Sequence, residues 1–149
     1  MVTETTEEPT AKLPPAELIG LTPDEWTEPF WAAARDHRLV VPRCVNCGTY
    51  RFPPSPFCYV CRTQDVDWVE QSGHGTLYSF TVAWHPILPD VSDAVPYIPA
   101  VVELPDTGGV RVIGNLIDLK PSQAVIGMKV ELVWRDIDDM VTVPTFKPS

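Results

Sequence analysis

Cys44-Val45-Asn46-Cys47 and Cys58-Tyr59-Val60-Cys61 are two C-x-x-C pairs ten residues apart, and they contain all four cysteines of the chain. Two such pairs can place four sulfurs at the corners of a tetrahedron, about 2.3 Å from one zinc ion. With four protein ligands the metal would have no open position, so it would stabilise the fold and not act as a Lewis acid. The spacing therefore predicts a structural zinc site with Cys44, Cys47, Cys58 and Cys61 as ligands.

Other uses of these cysteines are weaker interpretations. Two disulfides would need an oxidising compartment, and residues 1–20 lack the basic start and apolar core of a secretory signal. A thioredoxin-like redox pair would need one C-x-x-C at the start of a helix in a βαβ unit. Iron in a rubredoxin-like site would use the same four ligands, so the metal stays open between zinc and iron.

Composition limits the classes of partner. The chain has 149 residues, of which 44% are hydrophobic and 21% charged, and its formal net charge is −9. No apolar run approaches the ~20 residues needed to cross a bilayer. A net negative charge argues against nucleic acid, which usually meets a clustered Lys/Arg face. We therefore expect a cytoplasmic protein with neither a membrane nor a nucleic-acid partner.

The N-terminal part of the chain divides into three predicted segments. Residues 1–20 are acidic and contain proline, which predicts a flexible tail. Residues 21–38 form a helical segment, with a capping box at Thr22-Pro23-Asp24-Glu25 and a helix from about Glu28 to Asp36. Residues 39–72 form the zinc ribbon, in which short strands lead into the first C-x-x-C pair and out of the second.

The predicted helix carries Phe30, Trp31 and Ala34 at spacings that share one face. This aromatic face could pack on its own chain. It could equally meet a partner, since a helix beside a very small metal module has little core of its own. The sequence favours neither interpretation.

From Gly73 onward the pattern changes to short alternating strands bounded by glycine and proline. Within the first of them, the alternation predicts Leu77 and Ser79 on one face and Tyr78 and Phe80 on the other. Five short strands without a strong helix favour a small, partly open barrel over residues 73–149. The predicted strands are 75–84, 98–104, 110–118, 129–135 and 141–146.

The order of motifs along the chain is more specific than any one of them. The motifs are Phe30-Trp31, Arg43 to Gly48, Phe52-Pro53-Pro54, Trp68 to Glu70, Gly73 to Val82, Pro99 to Leu104, Ile126 to Val130 and Val143 to Phe146. In this order they resemble the DUF35 proteins, a likeness that covers roughly Phe30 to Pro148. One departure is Arg62, which follows Cys61 where the family usually has glycine. It would change the turn of the second knuckle and leave the four ligands intact.

The resemblance implies a mainly β fold: an N-terminal helix, a rubredoxin-like zinc ribbon and a five-stranded OB-fold in one unit. Members of the family typically pair with a thiolase-fold subunit encoded nearby, and many such pairs act on acyl-CoA thioesters. The partners include thiolases, a thiolase coupled to hydroxymethylglutaryl-CoA synthase, and lipid-transfer-protein-like aldolases of steroid side-chain breakdown. The catalytic residue generally belongs to the thiolase-fold partner.

The resemblance therefore implies a non-catalytic accessory subunit of a hetero-oligomeric aldolase or thiolase in lipid or steroid degradation. Such a subunit stabilises its partner and helps to hold the CoA-linked substrate. The acyl group, the type of partner and the stoichiometry stay open.

The residues support the same expectation independently. A catalytic site needs convergent acids, bases or a nucleophile. The three histidines, His37, His74 and His85, have no carboxylate at motif spacing, and an acidic turn explains Asp136, Asp138 and Asp139. We therefore expect no catalytic residue in this chain.

Four cationic side chains are candidates to bind the phosphates of coenzyme A, because arginine can bind phosphate through two parallel hydrogen bonds. They are Arg43, Arg51, Arg62 and Lys147. The three arginines could instead neutralise the four thiolates around the metal.

Two other functions remain as alternatives. An OB-fold can bind single-stranded nucleic acid by stacking bases on aromatic side chains, here Tyr78, Phe80 and Trp84. An independent acyl-CoA carrier or thioesterase would need a pocket and a base that the sequence does not reveal.

Overall fold

The computed structural model describes residues 7–149, which form an N-terminal helix, a two-stranded ribbon and a five-stranded barrel. Three short 3-10 turns lie at Ala16–Leu18, Pro89–Ala94 and Pro121–Gln123. Among these residues, no helix has the length and apolar character that a membrane span requires. The elements are α1 (Glu28–Arg35), β1 (Leu39–Cys44), β2 (Val66–Gln71), β3 (His74–Phe80), β4 (Ile98–Glu103), β5 (Arg111–Leu116), β6 (Lys129–Asp136) and β7 (Thr142–Pro148).

Local hydrogen bonds order the turn before α1, whose own N-cap is Thr27 without a side-chain cap. The cap predicted at Thr22 lies instead at Asp24, whose Oδ1 accepts hydrogen bonds from the backbone N–H groups of Trp26 (3.0 Å) and Thr27 (2.8 Å). Hydrogen bonds from the Thr27 hydroxyl and backbone lower the pKa of Asp24. The carboxylate thus satisfies donors of the turn that leads into the helix.

The end of α1 joins the helix to the barrel. His37 has a positive φ of 56°. Its N–H donates to the Ala34 carbonyl (2.8 Å), and the N–H of Arg38 donates to the Ala33 carbonyl (2.9 Å). This pair of hydrogen bonds is a Schellman motif. His37 Nε2 then donates a hydrogen bond of 2.8 Å to Asp136 at the end of β6. This contact, followed by one from Thr142, lowers the pKa of Asp136.

The aromatic face of α1 packs on its own chain. Phe30 is only 3% exposed, and its ring meets those of Trp31 and Phe52 edge-on at 4.8 and 5.3 Å. Of the two interpretations that the sequence left open, the structure favours packing within the chain.

One apolar cluster crosses the predicted boundary between ribbon and barrel. In the ribbon, β1 and β2 pair antiparallel with Pro42 opposite Trp68. Leu39 and Val41 of β1 belong to the same buried cluster as Leu77 and Phe146 of the barrel. The ribbon therefore shares its core with the barrel, as expected for a module too small to bury enough surface alone.

The barrel has the strand order β3-β4-β5-β7-β6, which is that of an OB-fold. Its strands pair antiparallel, except for the parallel pair β5–β7. The barrel is closed, not partly open, because β3 pairs with β6 through His74 to Thr76 and with β4 from Thr76 onward. The predicted mainly β fold with a five-stranded barrel is confirmed.

The predicted faces of β3 are wrong beyond Leu77. A register shift lies between Leu77 and Ser79, and an extra residue on one strand moves the following side chains to the opposite face. Tyr78 and Ser79 are both exposed, whereas Phe80 packs on the core together with Leu77. Strict alternation cannot reveal such a bulge.

Part of the predicted flexible tail binds the barrel. Residues 1–6 lie outside the described residues. Beyond them, Ala11 N–H donates to the carbonyl of Leu119 (2.8 Å) and Lys12 N–H to that of Pro96 (2.7 Å). The Glu8 carboxylate accepts from the backbone N–H of Ser122. Most of these contacts are made by backbone groups, so the amino-acid composition of residues 1–20 could not predict them.

A methyl group at Gly114 should destabilise the barrel, because the added Cβ would lie 2.7 Å from the Pro144 carbonyl oxygen and 2.9 Å from the Phe146 ring. Overpacking of this kind costs about 1–3 kcal/mol, so Gly114→Ala should lower the urea midpoint of unfolding. Gly20→Ala is the control, since no atom lies within 4 Å of its added Cβ. Equal midpoints for the two variants would contradict the packing described here.

Candidate metal centre

Each C-x-x-C pair closes a knuckle held by two backbone hydrogen bonds. In the first, Gly48 N–H donates to the Cys44 carbonyl and Cys44 N–H to that of Thr49, both at 2.9 Å. In the second, the N–H groups of Arg62 and Cys58 make the equivalent bonds, also at 2.9 Å. The two halves of the ribbon therefore have the same local geometry.

Arg62 adopts the conformation that glycine has in the first knuckle. Its φ is 67°, against 73° at Gly48. A non-glycine residue in this region costs about 1–2 kcal/mol, and the knuckle retains its turn despite the departure from the family pattern. The backbone of the second knuckle therefore does not show the change of turn that Arg62 was expected to cause.

The structure brings all four predicted ligands together. Their sulfurs lie within 4.8 Å of one another, with Cys44 Sγ 3.5 Å from Cys61 Sγ and Cys47 Sγ 3.6 Å from Cys58 Sγ. Sulfurs bound at about 2.3 Å to one tetrahedral ion would be about 3.8 Å apart, so the arrangement fits a metal site with four cysteine ligands. All four cysteines are free thiols, which does not agree with the disulfide interpretation.

Hydrogen bonds around the sulfurs of the second knuckle favour the thiolates that a metal requires. The backbone N–H of Cys61, followed by that of Val60, lowers the pKa of Cys58. The Thr63 hydroxyl, followed by the Asn46 side chain, lowers the pKa of Cys61 to about 5. Hydrogen-bond donors thus stabilise the thiolate forms of Cys58 and Cys61.

Arg51 has a structural role in the ribbon, and its predicted contact with phosphate stays a prediction. It is 3% exposed, and its guanidinium donates to the carbonyls of Thr63 (3.1 Å) and Gln64 (2.6 Å), just after the second knuckle. Both terminal nitrogens of the guanidinium are therefore used within the fold. Sequence reasoning missed this role because an arginine between two knuckles suits either function.

The other three predicted cations lie on different elements. Arg43 on β1 is 3.8 Å from Asp67, and Lys147 on β7 is 3.0 Å from Glu131. Arg62 is exposed, with no carboxylate at ion-pair distance in residues 7–149. Of the four, Arg62 has the cationic group that is most available to another molecule.

Of the histidines and acids named from the sequence, His37 and Asp136 are the one pair that meets within residues 7–149. His37 binds Asp136 at the surface, and His74 and His85 are exposed. Asp138 caps the β6–β7 turn by accepting from the N–H groups of Met140 and Val141. Within residues 7–149, the four cysteines are the only group of three or more His, Cys, Asp or Glu placed to hold a metal.

Comparison with known proteins assigns the two parts of this fold. The family model for the ChsH2 rubredoxin-like zinc ribbon domain matches residues 31–67, and that for the ChsH2 C-terminal OB-fold domain matches residues 68–135. A DUF35 domain-containing scaffold protein of Methanocaldococcus jannaschii is 37% identical over 102 residues, which cover 68% of this chain and 70% of the relative. The chain belongs to the DUF35 family. The resemblance seen in the sequence is thereby confirmed, together with the zinc ribbon and the OB-fold.

Two other relatives are longer proteins. A probable enoyl-CoA hydratase alpha subunit of Thermomonospora curvata is 41% identical over 147 residues, which cover 99% of this chain but only 44% of the relative. The 3-oxo-4,17-pregnadiene-20-carboxyl-CoA hydratase alpha subunit of Mycobacterium tuberculosis is 34% identical over 110 residues, covering 74% of this chain and 34% of the relative. This chain thus spans less than half the length of either relative.

Two solved structures share the fold. A chain of the Ltp2-ChsH2(DUF35) aldolase superposes with a TM-score of 0.78 at 39% identity, covering 87% of this chain and 98% of that one. A DUF35 protein of Sulfolobus solfataricus superposes with a TM-score of 0.62 at 15% identity, covering 84% of this chain and 86% of that one. The second likeness concerns the fold alone.

Removal of the metal should unfold the ribbon and weaken the barrel, because β1 carries both Cys44 and the shared core residues Leu39 and Val41. We expect about one zinc per chain by elemental analysis, and loss of β structure and a lower Tm after chelation. Cys58→Ser should reproduce this loss. A pure chain without zinc or iron, whose Tm does not respond to chelator, would contradict a structural metal.

Arg51→Met should destabilise the ribbon by about 3 kcal/mol, because it removes two charge-assisted hydrogen bonds and leaves two carbonyls without their donors. Arg62→Met is the control: Arg62 is exposed, and substitutions at such sites usually stay within about 0.5 kcal/mol. Urea unfolding and the rate of zinc release to a colorimetric chelator measure both variants. Equal effects at the two sites would show that the Arg51 bonds contribute nothing.

Proposed function

We propose that this chain is a non-catalytic accessory subunit of a thiolase-fold acyl-CoA enzyme, most specifically an aldolase that cleaves a carbon–carbon bond in lipid or steroid side-chain degradation. The observation that carries the proposal is the match to 98% of a chain of the Ltp2-ChsH2(DUF35) aldolase, at 39% identity and a TM-score of 0.78. At that coverage the likeness extends over the whole fold of that chain and is not limited to the ribbon.

The names of the relatives support acyl-CoA chemistry and an accessory role. Two of them are alpha subunits of acyl-CoA hydratases, one with a steroid substrate. Three others, from archaea, are named scaffold proteins. A module that occurs with different acyl-CoA reactions is better explained as a partner-binding unit than as the source of one reaction.

The side chains support assignment of the chemistry to the partner. Retro-aldol cleavage of a 3-hydroxyacyl thioester breaks the C2–C3 bond, with a base that takes the hydroxyl proton and a group that stabilises or protonates the resulting enolate. In the described part of this chain the four thiols face one another at the metal centre, and His37 is bound to Asp136. Neither group is arranged as a base and acid on either side of a substrate.

A role in holding the CoA-linked substrate is a further part of the proposal. Arg62 and Arg43 lie on the ribbon with exposed or half-exposed side chains, and a guanidinium can bind a phosphate through two hydrogen bonds. Lys147 is paired with Glu131 at 3.0 Å and Arg51 is buried, whereas Arg43 has only a looser pair with Asp67 at 3.8 Å, so Arg62 is the better candidate and Arg43 the second. They would contribute at the interface with the partner.

The nucleic-acid alternative has less support than it had from the sequence. Of the three aromatic residues it requires, Phe80 packs on the core of the barrel. The Tyr78 ring is covered by Arg111, 3.5 Å from its centroid, and Arg111 is itself paired with Glu103. A stacking platform needs free aromatic faces beside unpaired cations.

Co-expression with a lipid-transfer-protein-like thiolase-fold subunit tests the proposal. The probes are the Ltp2 subunit of the solved aldolase and any thiolase-fold protein found encoded beside this chain. We expect a hetero-oligomer on gel filtration, and cleavage of a 3-hydroxyacyl-CoA that is lost when this chain is omitted. Thiolysis of a 3-oxoacyl-CoA instead would indicate a thiolase partner. If no complex forms and the partner is fully active alone, the proposal is wrong.

A further inference from the structure

Residues 7–15 bind both of the long connections of the barrel. One connection is residues 81–97, between β3 and β4, and the other is residues 117–128, between β5 and β6. Each of them contains a single short 3-10 turn and no α-helix, so neither connection is held in place by a helix of its own. Residues 7–15 are called the N-terminal strap.

The β5–β6 connection makes the first set of contacts with the strap. The Ala11 N–H donates to the Leu119 carbonyl at 2.8 Å. The Glu8 carboxylate accepts hydrogen bonds from the backbone N–H of Ser122, at 3.1 Å, and from its hydroxyl. Leu119 is 4% exposed and belongs to the buried apolar cluster, against which Ala11 also packs. This part of the strap therefore lies against the core of the barrel.

The β3–β4 connection makes the second set of contacts. The Lys12 N–H donates to the Pro96 carbonyl at 2.7 Å, and Lys12 Nζ donates to the Asp93 carbonyl at 2.9 Å. Lys12 also forms a parallel β-bridge with Tyr97. Because Asp93 lies in the 3-10 turn Pro89–Ala94, one residue of the strap fixes both that turn and the chain that follows it.

Adjacent residues of the strap thus bind different connections. Consecutive Cα atoms are only about 3.8 Å apart, so the N–H groups of Ala11 and Lys12 move together. Within residues 7–149, no backbone hydrogen bond joins residues 81–97 directly to residues 117–128. The strap therefore supplies the hydrogen-bonded link between the two connections.

This link can open without unfolding of the barrel. Apart from the bridge at Lys12, the strap has no regular secondary structure, and its ion pair of Glu7 with Lys120 lies at the surface. Each hydrogen bond contributes little net free energy, whereas ordering each residue of the strap costs conformational entropy. Segments with such contacts open locally at a lower free energy than the strands of a core.

We propose that the N-terminal strap is a conformational switch, which couples the two connections through the adjacent N–H groups of Ala11 and Lys12. While the strap is bound, both connections keep the conformation seen in the structure; when it is released, both are freed together. The β3–β4 connection carries the exposed side chains of Trp84, Ile87 and Leu88, so release changes how this apolar surface is presented. The inference goes beyond the proposed function and does not depend on it.

Hydrogen exchange of single amides, followed by NMR, tests the coupling. The reporters are two amides that bond within their own connection and not to the strap. Val91 N–H donates to the Leu88 carbonyl at 3.1 Å in the β3–β4 connection, and Gln123 N–H donates to the Lys120 carbonyl at 2.9 Å in the β5–β6 connection. The amides of the barrel strands and the Tm verify that each variant is folded.

Two proline substitutions each remove one side of the link. Ala11→Pro removes the donor to Leu119, and Lys12→Pro removes both donors of Lys12 to the other connection. Because coupling between two sites is reciprocal, each variant should speed exchange at both reporters by about fivefold or more. Thr10→Pro is the control, since Thr10 is exposed and makes none of the strap's hydrogen bonds in residues 7–149. It should leave both rates within about twofold of wild type.

Glu8→Ala weakens the strap without changing the conformational range of its backbone. It removes the acceptor of Ser122 on the β5–β6 connection, and Val91 on the other connection should then exchange about two- to fivefold faster. Glu17→Ala is the matched control, because Glu17 is exposed and its carboxylate makes no hydrogen bond or ion pair in residues 7–149.

The outcomes separate a coupled strap from independent contacts. If Ala11→Pro speeds exchange only at Gln123 and Lys12→Pro only at Val91, the connections are held independently and the proposal is wrong. It is also overturned if no variant changes either rate, or if Thr10→Pro speeds both equally. The co-expression experiment does not depend on any of these results, so the proposed function stands or fails separately.

Discussion

The convergence of four thiolates on one metal position is the interaction through which the N-terminal half of the chain joins the barrel. The same short strand that ends at Cys44 carries Leu39 and Val41 into the core shared with Leu77 and Phe146. A ribbon of two strands buries too little apolar surface to hold this strand by itself. The metal fixes one end of β1 and the barrel core fixes the rest, so neither constraint can be lost without weakening the other.

The buried side chain of Arg51 makes the two knuckles depend on each other. Arg51 follows the first pair of cysteines, yet its guanidinium binds the carbonyls of Thr63 and Gln64 after the second. Its positive charge also lies in a ribbon that must accommodate four thiolates and one divalent ion. A single side chain therefore joins the two knuckles and offsets their charge, and this explains why a cation is buried in so small a module.

The sequence predicted the features that depend on spacing and failed where the contacts are long-range. Cysteine spacing located the ribbon, and period-two patterns placed β4, β6 and β7 within two residues of their observed ends. The bulge after Leu77 shifts one residue without changing composition, so alternation assigned Ser79 to the wrong face. The hydrogen bonds of Ala11 and Lys12 to the barrel use main-chain groups that nearly every residue possesses. Arg51 fits two roles equally well until the neighbouring carbonyls are known.

A chain of this kind can influence a reaction without supplying an acid or a base. Its strongest bonding is internal: thiols face the metal, His37 binds Asp136, and charged side chains of the barrel pair with one another. What is left for other molecules is shape and exposed apolar surface, part of which lies on the zinc knuckles. The metal that fixes the knuckle backbone would then also fix that part of the surface, so its loss would change both the stability of the ribbon and the surface that the chain presents.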